Sequence, residues 1–165
     1  MKYLLILFST FLIIACSCQK SSEENLVQIK DSEKQKTDRL SRLPSINPIE
    51  KGKIVNRFGQ QVGSLINKGI DISIEQETGV IAVADGKIIE VKKEDTNDKS
   101  TIIIDHGYGY QTKYRNLSEI SVETNQSVKR WTVIGKMKIT TEQPALLHYE
   151  VVKDGENVDP EKFIF

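Results

Sequence analysis

From Leu43 onward the chain never sustains a helical hydrophobic period; short apolar runs alternate with turn residues at close intervals. That texture confines the fold to strands, because a helix needs an apolar stripe recurring every three to four residues over a longer run. Strands are expected over Lys53–Arg57, Ile70–Ile74, Val80–Ala84, Lys87–Lys92, Thr101–Asp105, Gln111–Arg115, Val128–Ile134 and Leu146–Val152. Asp85-Gly86 and His106-Gly107-Tyr108-Gly109 supply turns between them. Thr101-Ile102-Ile103-Ile104 lacks polar alternation, which predicts a strand covered on both faces. Pro160–Phe163 predicts one terminal helical turn. The expected fold class is all-β, two packed sheets over residues 43–165, with a core large enough to fold alone.

The amino end is different in kind. Lys2 precedes an apolar run of 13 residues, Tyr3 to Ala15. A membrane span needs about 20 residues, so this run fits the apolar core of a signal peptide. Its end, Ile13-Ile14-Ala15-Cys16, resembles a bacterial lipobox, which implies cleavage after residue 15 and lipidation of Cys16. A plain secretory signal with an incidental cysteine is the alternative. Several acyl chains on Cys16 would anchor the protein stably to a membrane of the bacterial cell envelope. Residues 16–42 then read as a lipidated start and a polar tether, because their few apolar residues are too sparse for an amphipathic stripe. Ser21-Ser22-Glu23-Glu24 in that tether is taken as a solvated charge run.

Charge and cysteine content narrow the function classes. Basic and acidic residues balance at 23 each, so no basic face argues for nucleic acid. The two cysteines, 16 and 18, leave the domain without a disulfide or a thiolate metal ligand.

Chemistry concentrates in Pro144-Ala145-Leu146-Leu147-His148-Tyr149-Glu150-Val151-Val152, which contains one of the two histidines. In a strand, Leu146, His148 and Glu150 share a face, with neighbours about 6–7 Å apart. The stretch closely resembles the His-x-His-Phe-Glu strand of lysostaphin/LytM-type zinc endopeptidases, which cut peptidoglycan cross-bridges. Other phrases match the same family in the same order. They are Gly52-Lys53-Ile54-Val55-Asn56-Arg57-Phe58-Gly59, Asn67-Lys68-Gly69-Ile70-Asp71, Ile81-Ala82-Val83-Ala84-Asp85-Gly86, Ile104-Asp105-His106-Gly107, Thr112-Lys113-Tyr114-Arg115-Asn116-Leu117 and Asn157-Val158-Asp159-Pro160. The resemblance implies the duplicated hybrid-motif β fold of lysostaphin-like domains.

Carried over residue by residue, the family's three zinc ligands fall on Asn67, Asp71 and His148. The two further catalytic histidines fall on Asn116 and Leu146. Asn67 is a weak zinc donor, so two good ligands remain, one fewer than a catalytic zinc site uses. Leu146 can neither move a proton nor donate to an oxyanion, and Asn116 can only hydrogen-bond. No metal or other cofactor is expected; zinc belongs only to an alternative in which the ligand set has been rebuilt. Gly69 is expected to kink the strand so that Asn67 and Asp71 converge. Trp131, Lys138 and Thr141 stand where active members have glycine-rich turns, and Trp131 is expected in the core or shielding it, with a ligand platform as the alternative. A hydrogen bond of His148 within the sheet and a turn capped by Asp71 are the plain structural readings of those two residues.

One subgroup of the family shows similar substitutions, the degenerate LytM domains of division-associated murein hydrolase activators. The resemblance implies a non-catalytic envelope lipoprotein that regulates or scaffolds a peptidoglycan hydrolase. Asn67, Asp71, Tyr114, Asn116, Leu146 and His148, with Arg115 beside them, are expected to line its groove. A cell-wall amidase is the expected partner. A peptidoglycan-binding module and an active zinc endopeptidase are the alternatives.

Overall fold

The computed structural model describes residues 25–93, 100–139 and 145–164, in two units, 1–40 and 41–165. The signal segment, Cys16, Ser21–Glu24 and Thr141 lie outside the described residues. Residues 25–41 form a helix whose residues 25–40 are all exposed. Where a polar tether was expected, the chain is helical because residues 25–41 contain no glycine or proline and intersperse acidic with basic side chains. The second unit begins at Ser41 rather than Leu43. Asp85 N donates to Ser41 O at 2.9 Å, and Arg130 Nη2 donates to Ser41 O and Leu43 O at 3.2 and 3.1 Å.

Thirteen strands follow among the described residues. β1 (Lys53–Asn56) leads into a short hairpin of β2 (Gln61–Val62) and β3 (Leu65–Ile66), then β4 (Ile70–Ile74). Next come β5 (Thr78–Ile81), β6 (Gly86–Lys92), β7 (Ser100–Gly107) and β8 (Tyr110–Leu117). The rest are β9 (Glu119–Ile120), β10 (Ser127–Val128), β11 (Val133–Met137), β12 (Ala145–Lys153) and β13 (Glu156–Val158). The large sheet runs β1-β4-β12-β8-β7-β6-β10, with β13 on β12; a smaller one runs β5-β11-β9. Asp159 caps a terminal 3-10 turn, Pro160–Lys162.

Period-two alternation puts one face of the large sheet inside. Ile70, Ile72, Ile74, Ile102, Ile104, Leu147, Tyr149 and Val151 are buried, and the small sheet adds Val80, Ile134 and Met137. The intervening residues Asp71, Arg115 and His148 therefore share the opposite face, and that alternation builds the site.

Three expectations need correction. β7 alternates buried with half-buried residues, so only one of its faces is fully covered. Isoleucine suits a pleated backbone whether or not its face is buried, which is why the run misleads. The strand expected at Val80–Ala84 ends at Ile81, and buried Ala82–Ala84 cross between the sheets. The strand expected at Val128–Ile134 is two strands, split by a turn in which Thr132 N donates to Lys129 O at 3.0 Å.

Candidate functional site

β12 lies between β4 and β8, placing His148 opposite Asp71 on one side and Arg115 on the other. His148 Nδ1 is 2.7 Å from Asp71 Oδ1, and Nε2 is 3.2 Å from Glu150 Oε1. Both ring nitrogens therefore face carboxylates. Asp71 Oδ2 accepts from Asn56 Nδ2 at 2.8 Å and from Asn67 Nδ2 at 3.3 Å. Glu150, with a side chain only 3% exposed, also meets Arg115 Nη2 at 3.2 Å, Lys113 Nζ at 3.6 Å and Asn157 Nδ2 at 2.7 Å.

Electrostatics follow from this packing. Burial alone would lower the His148 pKa, but hydrogen bonds to Asp71 and Glu150 and their charges raise it to about 9. Burial opposes ionisation of Glu150, yet His148, Asn157, Arg115 and Lys113 bring its pKa down to about 2. Asp71, against the same opposition from burial, is held below the usual carboxylate value by His148 and Asn56. Near neutral pH the row is carboxylate, imidazolium, carboxylate.

Asn67 converges on Asp71 as expected, but Gly69 acts by its lack of a side chain. Its φ is not in the left-handed region; a Cβ there would run into the Tyr149 carbonyl. Asn67 Oδ1 accepts from Gly69 N at 3.0 Å, so the amide oxygen that would be its metal donor is already used locally. Asn116 adopts φ 67, and its Nδ2 donates to Leu146 O at 3.1 Å, pinning β8 to β12. The set does not fit a catalytic zinc. Among the described residues no three His, Cys, Asp or Glu side chains form a metal cluster.

These side chains line a groove of about 620 Å³ with Asn56, Val62, Leu65, Ile66, Lys68, Arg115, Asn116 and Leu146. Tyr114, expected in the groove, is not there. It is fully buried on the core face, 5.3 Å from the Tyr149 ring, and its hydroxyl accepts from Val83 N at 3.3 Å. Neighbours in a strand point to opposite faces, so Arg115 and Tyr114 cannot both face the groove. Asn56, Lys68 and the hairpin residues Val62, Leu65 and Ile66 escaped the sequence reading as groove residues, and Glu150 was read only as a neighbour of His148 on its strand face. Glu150 carried a usable signal, since it shares a strand face with His148; the hairpin is too short to give one.

Comparison with known proteins places this geometry. The family model described as "Peptidase family M23" matches residues 65–160, more than half of the chain. The chain belongs to peptidase family M23. Within it, the chain is 31% identical over 113 residues to "Murein hydrolase activator NlpD" of Escherichia coli K12, covering 68% of this chain and 29% of that protein. It is 30% identical over 113 residues to "Lipoprotein NlpD/LppB homolog" of Pseudomonas aeruginosa, covering 68% and 37%. This M23 chain thus spans about a third of the length of these two relatives. The lysostaphin structure from Staphylococcus simulans superposes with a TM-score of 0.57 at 24% identity, covering 68% of this chain and 49% of that one, a likeness of fold. The all-β architecture expected from the sequence is thus that of M23 peptidases.

Proposed function

We propose that this M23 domain is non-catalytic, holds no zinc, and switches on a cell-wall amidase by capturing an inhibitory segment of it in the groove. The observation carrying this reading is the state of His148, an imidazole with both nitrogens on carboxylates, among Asn67, Asn116 and Leu146 where the family resemblance calls for histidine. Such a row lacks the metal-activated water and proton shuttle that hydrolysis needs. The groove keeps features that suit a peptide: apolar Leu65, Ile66 and Leu146 beside the cations Lys68 and Arg115. The activator and lipoprotein names of the relatives support the same reading. Lipidation of Cys16 would keep the domain beside its envelope partners and raise its effective concentration there.

Site-specific cross-linking from Leu65 and Leu146 in living cells tests this. Cross-links to an amidase, with amidase activity that depends on the domain, are the expected result. Recovery of glycan alone, or an amidase equally active without the domain, would overturn it.

A further inference from the structure

The sheet face that builds the groove does not end at Leu146. Leu146 of β12 pairs with Ser73 of β4, and Ser73 pairs with Lys53 of β1. Paired residues share a face, as do residues two apart on one strand. This row therefore lies on the face of Asp71 and His148, about 7 Å along the strands from them. Lys53 and Ser73 line a second cavity, of about 690 Å³, with Lys51, Val55 and Glu75. Leu146 lines the groove and its partner Ser73 the second cavity, so the two adjoin at that pair. β1 is the last strand of the large sheet, and no further strand of it closes the second cavity on that side.

Charge sets this face apart from a chain whose basic and acidic residues balance. The groove's two carboxylates are already committed, Asp71 to His148, and Glu150 to His148, Arg115 and Lys113. Lys51, Lys53 and Lys68 are exposed, and among the described residues their ammonium groups have no hydrogen-bond or ion-pair partner. Glu75 is the one lining carboxylate in the same condition. Three unpaired cations thus stand against one unpaired anion. Lysine on an edge strand also deters pairing between copies, a role that Lys53 can fill but Lys51 and Lys68, outside the strands, cannot. Trp131, expected in the core or shielding it, is instead 64% exposed and lines neither cavity.

We infer that the second cavity is a subsite for acidic side chains, and that the polypeptide segment held in the groove runs on past the Leu146–Ser73 pair to set carboxylates on Lys51 and Lys53. The inference rests on the groove reading above and adds the chemistry of the captured segment. Its apolar side chains lie against Leu65, Ile66 and Leu146, and Asp or Glu follows within a few residues. An extended chain advances about 3.3 Å per residue, so about two residues carry it from the row of His148 to the row of Lys53. A polypeptide fits better than other polyanions. An anionic bilayer is flat where both cavities are concave, and a phosphate polymer offers nothing to Leu65, Ile66 and Leu146. Exposed charge pairs add little affinity each, but they speed encounter and select the partner.

The test titrates the full chain, as Cys16→Ser, into fluorescein-labelled 15-residue peptides that overlap to cover a cell-wall amidase of the same organism, with binding read by anisotropy. A peptide that carries both apolar and acidic residues is expected to bind. Lys51→Gln with Lys53→Gln should weaken it about fivefold and flatten its dependence on salt. The thermal midpoint of that variant should not move, because both side chains are exposed. Replacing the peptide's Asp and Glu by Asn and Gln should weaken binding to wild type but weaken binding to the lysine variant much less. Binding lost in Leu146→Asp yet unchanged in the lysine variant would overturn the subsite and leave the groove reading standing. Binding of no amidase peptide would overturn both. Phosphatidylglycerol vesicles that bind wild type and not the lysine variant would overturn the subsite in favour of a membrane surface.

Discussion

His148 and Asp71 face each other across β12 and β4 with Nδ1 and Oδ1 2.7 Å apart, and Glu150 closes the imidazole from the other side. The imidazole is thereby a structural cation. Its folded pKa of about 9 lies above the ordinary 6.5, so its contribution to stability is complete below 6.5 and is lost as pH rises through 9. Glu150, lowered from 4.5 to about 2, contributes above 4.5 and loses that contribution as pH falls through 2. The thermal midpoint should be highest between pH 4.5 and 6.5 and decline on both sides. Calorimetry from about pH 2 to about pH 9 checks this, and His148→Gln should remove the alkaline decline.

Gly69, just before β4, packs directly against the backbone of β12. A Cβ there meets the Tyr149 carbonyl and the Glu150 side chain, so Gly69→Ala forces the two strands apart. The expected loss is at least the roughly 1–3 kcal/mol of an overpacked core, read from chemical denaturation. A variant as stable as wild type would remove this account of how Asn67 and Asp71 converge.

How far the sequence could reveal these features depended on periodicity. The family's matching phrases located Asp71, Arg115 and His148, and strand alternation put His148 on one face with Leu146 and Glu150. The same alternation excludes Tyr114 from the groove, a constraint that a consecutive list of motif residues hides. Trp131 was legible as a departure from a glycine position, but its exposure depends on the split between β10 and β11, set by the distant Asp85. The helix of residues 25–41 lacks an apolar stripe, so a hydrophobic pattern could not reveal it; local propensity and interspersed charges carry it instead.

Cys16 should be the first mature residue and carry lipid, given the Ile-Ile-Ala-Cys sequence that ends the apolar run. Metabolic labelling with a fatty-acid analogue should label wild type and not Cys16→Ser. Undiminished labelling of the variant would remove the anchor.

Metal affinity should respond to the ligand positions. The wild-type protein is expected to purify without stoichiometric zinc, and Asn67→His should raise zinc affinity at least tenfold, because imidazole is a far better zinc donor than an amide. Zinc titration by calorimetry checks this. Tight wild-type binding that is lost in Asp71→Ala would revive the endopeptidase reading.

Release of soluble fragments from dye-labelled peptidoglycan tests the central claim most directly, with the protein alone, a cell-wall amidase alone, and the two together. The account predicts no release by the protein alone and faster release by the amidase when the protein is present, a gain that Leu146→Asp should abolish. Release by the protein alone, or an amidase indifferent to its presence, would contradict it.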